Sequence, residues 1–156
     1  MAKLLFVCLG NICRSPAAEA VMNHLMAEQG ITAHTCDSAG TSNFHEGQAA
    51  DRRMREAAAA RGIAITHHSR PVREADFKDF DYLLVMDQSN ARDLQRFSAY
   101  KDNAHKVKFM ASYCQHHLAS KIPDPYYGGP DGFNQVLDLL TDAATEILHR
   151  LAQGKL

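Results

Sequence analysis

The feature that most limits how this chain can fold lies near its N-terminus. An apolar run, Lys3-Leu-Leu-Phe-Val7, leads into Cys8-Leu-Gly-Asn-Ile-Cys-Arg14-Ser15-Pro16, after which an Ala-rich stretch begins. The run reads as a fully buried strand, Gly10-Asn11 breaks it, and Pro16 suits the first turn of a helix, where its missing N–H has no partner to lose. A strand, a tight loop and a helix N-terminus in succession build an anion site. Consecutive backbone N–H groups can curl around an oxyanion, and the helix dipole adds to their positive potential. A cysteine at the floor of such a site is favoured as the thiolate. Arg14, at Cys-x5-Arg spacing from Cys8, can grip two oxygens of the bound anion with its planar fork. This is equipment for attack of sulfur on phosphorus. Taken alone, the spacing also fits a buried cysteine at a strand end and a surface arginine. Ser15 likewise has two readings, as a helix cap or as a donor to the Cys8 thiolate.

The rest of the chain alternates strand and helix patterns. Residues 3–8, 32–38, 81–86 and 106–110 read as strands, and 16–29, 48–61 and 88–97 as helices. Residues 63–79 read as irregular. The longest helix follows Pro130, with Phe133, Val136, Leu137, Leu140, Ala144, Ile147, Leu148 and Leu151 forming a core stripe. Alternation of this kind implies right-handed βαβ units. The expected fold is α/β: a three-layer sandwich with a central four-stranded parallel sheet flanked by helices and the anion loop after the first strand. Ligands in such folds bind beyond the carboxyl ends of the strands, which is where the Cys8 loop falls.

The 156 residues suit one domain, 1–156, with a real core. A formal net charge of −1 gives no electrostatic case for nucleic acid or membrane as a partner. The N-terminal apolar run is too short for a secretory leader, so a cytoplasmic location is expected. The four cysteines, Cys8, Cys13, Cys36 and Cys114, are then expected as free thiols. Cys114-Gln-His116-His117 and His67-His68 are rich in ligand types, but no four-ligand zinc spacing emerges, and no metal or cofactor is expected. Arg52-Arg53-x-Arg55 reads as a solvated helix face.

A cysteine that accepts a phosphoryl group needs an acid for the leaving oxygen and a base for the water that follows. Asp124, in Pro123-Asp-Pro-Tyr-Tyr-Gly-Gly-Pro130, is the candidate for both, with Tyr126 and Tyr127 as an aromatic wall. The same segment also fits a proline-bracketed turn with an Asx hydrogen bond.

The two segments together resemble the low-molecular-weight protein tyrosine phosphatase family. Val7 to Pro16 matches its Val-Cys-x-Gly-Asn-x-Cys-Arg-Ser-Pro loop, and Asp124 to Tyr127 its Asp-Pro-Tyr-Tyr loop. Asp37-Ser38-Ala39-Gly40-Thr41 and Met86-Asp87-x-Ser89-Asn90 match in the right order. The resemblance implies metal-independent hydrolysis of protein tyrosine phosphate and small aryl phosphates through a cysteinyl-phosphate. Cys8 would be the nucleophile and Asp124 the acid and then the base. Arg14 and the backbone of Leu9, Gly10, Asn11, Ile12 and Cys13 would bind the phosphate. Ser15, Ser38 and His67 would support the loop, with His68 the less favoured histidine. Cys13 would be a redox partner of Cys8.

The expected partner is a phosphotyrosine protein, with phosphate or another oxyanion in the site and the chain a monomer or weak homodimer. Phe44 stands at the cleft where animal members commonly carry tryptophan. The related arginine phosphatases usually carry threonine at the position of Ile12 and lack paired tyrosines, so Ile12, Tyr126 and Tyr127 favour aryl phosphate. Arginine phosphatase and arsenate reductase remain the alternatives on this fold.

Overall fold

The structure, a computed structural model, describes residues 1–126, 128–129 and 131–156. Its frame is one parallel sheet of four strands, β1 (Lys3–Cys8), β2 (Thr35–Gly40), β3 (Tyr82–Val85) and β4 (Val107–Phe109), in the order β2-β1-β3-β4. Side chains alternate across β1. Leu4, Phe6 and Cys8 face a core built with α1 (Arg14–Glu28) and α6 (Asp131–Ala152). Leu5 and Val7 face a second core with Val72, Phe77 and Leu94. The layers beneath those residues are α3 (Glu74–Asp79) and α4 (Gln88–Leu94). Because both faces are covered, β1 and β3 carry continuous apolar runs. The expected stripe of α6 is buried from Phe133 to Leu148, with Leu151 at its edge. No helix among the described residues is long and apolar enough to cross a membrane.

The strand order sets the site. From β1 the chain moves to β2 on one side, then returns to β3 on the other. The crevice beyond β1 and β3 is therefore a topological switch point, the position where open parallel sheets take ligands. Cys8 closes β1 there, and Met86-Asp87 follow β3.

Several element bounds differ from the sequence expectation. The first helix opens at Arg14, with Cys13 in the cap position and no side-chain cap bond. Ser15 therefore sits inside the first turn and does not cap. The second strand begins only at Thr35. The second helix, α2 (Arg52–Ala59), is shorter at both ends; its start is set by Asp51, which caps it by accepting from the Arg53 N–H at 2.8 Å. Residues 63–79, expected to be irregular, contain α3. Six residues are too few to display a helical period, and the helix is started by Asp76, which accepts from the Arg73 N–H at 2.8 Å. A one-turn helix, α5 (Tyr100–Asn103), precedes β4, which has only three residues.

Past its last pair, β2 fastens the anion loop. The Thr41 N–H donates to the Cys8 carbonyl and the Ser42 N–H to the Leu9 carbonyl, both at 2.9 Å. This approach needs Gly40, since a Cβ there would lie 2.7 Å from the Leu9 carbonyl oxygen and 3.1 Å from that of Ser42. Both neighbours are backbone and cannot swing away. Gly40→Ala is therefore expected to cost about 1–3 kcal/mol in urea denaturation, as overpacking does. An unchanged midpoint would show that the loop yields freely.

Candidate active site

The anion loop is turned inside out relative to ordinary backbone. The carbonyls of Cys8 and Leu9 are taken by Thr41 and Ser42. That of Gly10 accepts from Ser69 Oγ (2.9 Å), that of Ile12 from the Asp51 N–H (2.8 Å) and that of Cys13 from the Ala17 N–H (3.2 Å). With five carbonyls held outward, the planar peptide aims the N–H groups of Leu9, Gly10, Asn11, Cys13 and Arg14 the other way, into one cup. Asn11 permits the reversal by adopting φ 57°, a left-handed conformation that asparagine tolerates better than most residues.

The Asn11 side chain, 1% exposed, fixes that shape. Its Oδ1 accepts from the Arg70 N–H at 3.0 Å, which settles the amide orientation, because a backbone N–H can only donate. Its Nδ2 then donates to Ser15 Oγ (2.7 Å) and Ser38 Oγ (3.1 Å). Having accepted there, Ser15 turns its own hydrogen toward Cys8 Sγ at 3.0 Å, and Ser38 donates to Glu19 Oε1 at 2.7 Å. His67 Nε2 meets Asn11 Oδ1 at 2.8 Å and must therefore carry a hydrogen. His68, the less favoured histidine, is exposed. Burial pushes the Glu19 carboxyl up to about 7 beside this cluster.

Arg14 is 3% exposed and reaches the cup from the first turn of α1. Its Nη1 donates to Asp87 Oδ2 at 2.7 Å and to the Ile122 carbonyl at 3.0 Å. Nη2 lies 3.7 Å from Asp124 Oδ2. Asp87 caps α4 by accepting from the Asn90 N–H at 2.9 Å. Burial pushes the Asp87 carboxyl up, but the bonds from Arg14 and Asn90 outweigh it and hold it below the usual carboxylate range. Asp124 is exposed on the rim, and its Oδ1 accepts from the Tyr126 N–H at 3.0 Å. The Asx turn and the rim position thus coexist. Cys13 is buried beneath the cup, where burial, Asp51 and Cys8 push its thiol well above the ordinary value.

A cavity of about 360 Å³ opens over Cys8, Cys13, Arg14 and Asp124, walled by Ile12, Ser42, Phe44, His45 and Tyr126. Phe44 is 80% exposed and stacks edge-on with His45 at 4.8 Å. Tyr127, the other expected wall residue, lies outside the described residues. Arg53 departs from the expected solvated face. Although exposed, its guanidinium lies 5.3 Å over the Tyr126 ring and 4.8 Å over that of Phe133, and donates to the Tyr126 carbonyl. Sequence reading gave no role to Asp87, Arg53, Glu19 or the Ile122 carbonyl. The match at Met86-Asp87 marked only the first of these.

Comparison with known proteins agrees with this geometry. The family model described as low molecular weight phosphotyrosine protein phosphatase matches residues 3–155. A low molecular weight phosphotyrosine protein phosphatase of Schizosaccharomyces pombe is 40% identical over 152 residues, covering 96% of this chain and 97% of the relative. The crystal structure of a protein tyrosine phosphatase from Entamoeba histolytica with Hepes in its active site superposes with a TM-score of 0.95. It is 47% identical, and 100% of each chain is covered. That of the Drosophila arginine phosphatase superposes at 0.89 with 31% identity, covering 97% and 98%. The chain belongs to the low molecular weight phosphotyrosine protein phosphatase family.

Asp87→Asn removes the charge that faces Arg14. It is expected to cost about 1–3 kcal/mol, less than the ~3–5 of breaking a fully buried pair, because 21% of the Asp87 side chain meets solvent. The depressed carboxyl makes this contribution full above the ordinary carboxylate range, and it is lost as pH falls through the folded value. Urea curves for the two proteins should therefore differ at neutral pH and converge below pH ~4. A gap independent of pH would assign the loss to packing.

Proposed function

We infer that this chain is a protein-tyrosine phosphatase, one phosphatase domain over residues 1–156, acting on phosphotyrosine proteins and small aryl phosphates. The observation that carries the reading is the cup itself, with five outward carbonyls, inward N–H groups, the Cys8 sulfur at its floor and the Arg14 fork at its side.

The phosphoryl oxygens take the loop N–H groups from Leu9 to Arg14 and the Arg14 guanidinium, donors already in place before charge develops. The Cys8 sulfur attacks phosphorus as the bond to the phenolic oxygen breaks in line. The Asp124 carboxyl gives its proton to that oxygen, and the phenol leaves. Asp124, now a carboxylate, takes a proton from water as the water oxygen attacks phosphorus. The sulfur–phosphorus bond breaks, returning the thiolate and free phosphate. Ser15 O–H supports the sulfur in both steps. Under peroxide, Cys8 would become a sulfenic acid, and attack by Cys13 sulfur would expel water to give a disulfide that a thiol can reverse.

An aryl substrate is favoured by the walls, where Ile12, Phe44 and Tyr126 offer apolar and aromatic surface to a ring. Arsenate reduction is disfavoured by the cysteines. Cys36 Sγ bonds the Glu19 carbonyl and Asn23 Oδ1, and Cys114 Sγ the Leu139 carbonyl, and neither borders the cavity.

The test is phosphate release from matched phosphotyrosine, phosphoarginine and phosphoserine peptides in EDTA and fresh reductant. Phosphotyrosine should turn over fastest, and Cys8→Ser should lower kcat by at least ~10⁴-fold while phosphate still binds. Preference for phosphoarginine would move the chain to the sister activity. Asp124→Ala should slow aryl phosphates by ~10²–10⁴-fold when the leaving group is poor and far less when it is good. Equal slowing across leaving groups would remove Asp124 from the acid role.

A further inference from the structure

We propose that Arg53 is a positioning residue for the general acid, a strap that ties the Asp124 segment to the anion loop through Asp51 and Tyr126. The proposal rests on the acid role inferred for Asp124 above, and it assigns the group that holds that acid in register with the cup.

The strap begins at the loop itself. The Asp51 N–H donates to the Ile12 carbonyl at 2.8 Å, one of the five that face outward. The Asp51 carboxylate accepts from two nitrogens of the Arg53 fork, from Nε on Oδ1 at 3.1 Å and from Nη2 on Oδ2 at 2.9 Å. A bidentate carboxylate fixes the plane of a guanidinium as well as its place. The second hydrogen of Nη2 is thereby aimed, and it meets the Tyr126 carbonyl at 3.1 Å. The same guanidinium lies 5.3 Å over the Tyr126 ring and 4.8 Å over that of Phe133, in the first turn of α6. Arg53 thus holds Tyr126 by its carbonyl and its ring at once.

Tyr126 in turn orients the acid. Its N–H donates to Asp124 Oδ1 at 3.0 Å. That bond commits a lone pair of Oδ1, so the acidic hydrogen is placed on Oδ2, the oxygen that lies 3.7 Å from Arg14 Nη2 at the cup. Pro123 and Pro125 flank Asp124 and bring no N–H with which to fasten the segment. Asp124 is exposed, so core packing does not place it. The placement comes instead from α2, through a side chain anchored on the residue that also holds the Ile12 carbonyl. The acid and the phosphate donors share one reference point, which matters because an ångström of drift between them costs rate.

The test follows kcat/KM, which ends at departure of the phenol, for aryl phosphates of graded leaving-group basicity. Arg53→Ala should lower it by ~10–10²-fold for poor leaving groups and by less than ~3-fold for good ones. In the Asp124→Ala protein the same substitution should add less than ~2-fold, because a strap acts only through the group it holds. A loss of stability alone would lower every substrate together. Arg53→Lys keeps the charge without the planar fork and should stay close to Arg53→Ala. Inhibition by inorganic phosphate should be unchanged, since the floor donors remain. A readout free of turnover is the Tyr126 amide resonance in the Cys8→Ser protein, which Arg53→Ala should move in the direction that Asp124→Ala moves it. Absence of aryl phosphate turnover in the unsubstituted chain would overturn the phosphatase reading and leave the strap to be decided by this resonance. Equal losses across leaving groups, full additivity with Asp124→Ala, recovery by Arg53→Lys, weakened phosphate inhibition or an unmoved Tyr126 amide would each overturn the strap.

Discussion

One side-chain amide holds the anion loop in shape. Asn11 adopts a left-handed backbone, which costs a residue with a Cβ about 1–3 kcal/mol. Its buried amide makes two donor contacts, to Ser15 and Ser38, and two acceptor contacts, from Arg70 N–H and His67. At a net ~0.5–1.5 kcal/mol each, four such bonds outweigh the backbone cost. The balance also has a direction. Unmake the acceptor contacts and a buried carbonyl loses its partners, while the strain remains. The serine bonded to Cys8 and the histidine behind the loop are thus joined through a single residue, which ties the Cys8 sulfur to residues on β2 and on the segment before α3.

Arg14 poses the opposite problem, a charge almost wholly buried. Burial alone disfavours a guanidinium, so its partners must be fixed in advance. Asp87 supplies the charge and the Ile122 carbonyl a second acceptor, both bound by the same Nη1. The arrangement leaves the other end of the fork toward Asp124 and the cup. Asp87 itself is held by its capping bond to α4, so the arginine is positioned by a helix start at the switch point rather than by a free side chain. Binding energy from the substrate is then not needed to order the cation, which is the condition for electrostatic stabilisation to act on the transition state.

Much of this was legible in the sequence, for reasons that can be assigned residue by residue. The strand, loop and helix around Cys8 are local, and their chemistry is written in adjacent letters. The apolar runs of β1 and β3 announce a sheet covered on both faces. What stayed illegible is what packing brings together. Asp87 and Arg14 are joined only because β3 lies beside β1. Arg53 reads as a solvated base until α6 delivers Phe133 beneath it. Helix α3 depends on Asp76, whose partners Arg70 and Arg73 look like turn residues. The Ser15 reading divided for a related reason, since a cap and a donor to sulfur differ by one residue in where the helix begins.

The site divides into a floor and a rim with different physics. Cys8, Asn11, Arg14 and Ser15 are each no more than 4% exposed and are held by bonds to β2, α4 and the segment before α3. Phe44 is largely solvent-exposed, and the Asp124 side chain, also exposed, accepts an Asx bond and approaches Arg14 at 3.7 Å. A rigid floor fixes the reaction, because misplacing donors by even an ångström costs rate. An exposed aromatic rim costs little to vary, because few core contacts depend on it. Substitution of Phe44 is therefore expected to change which phosphorylated side chain is accepted while leaving the floor in place.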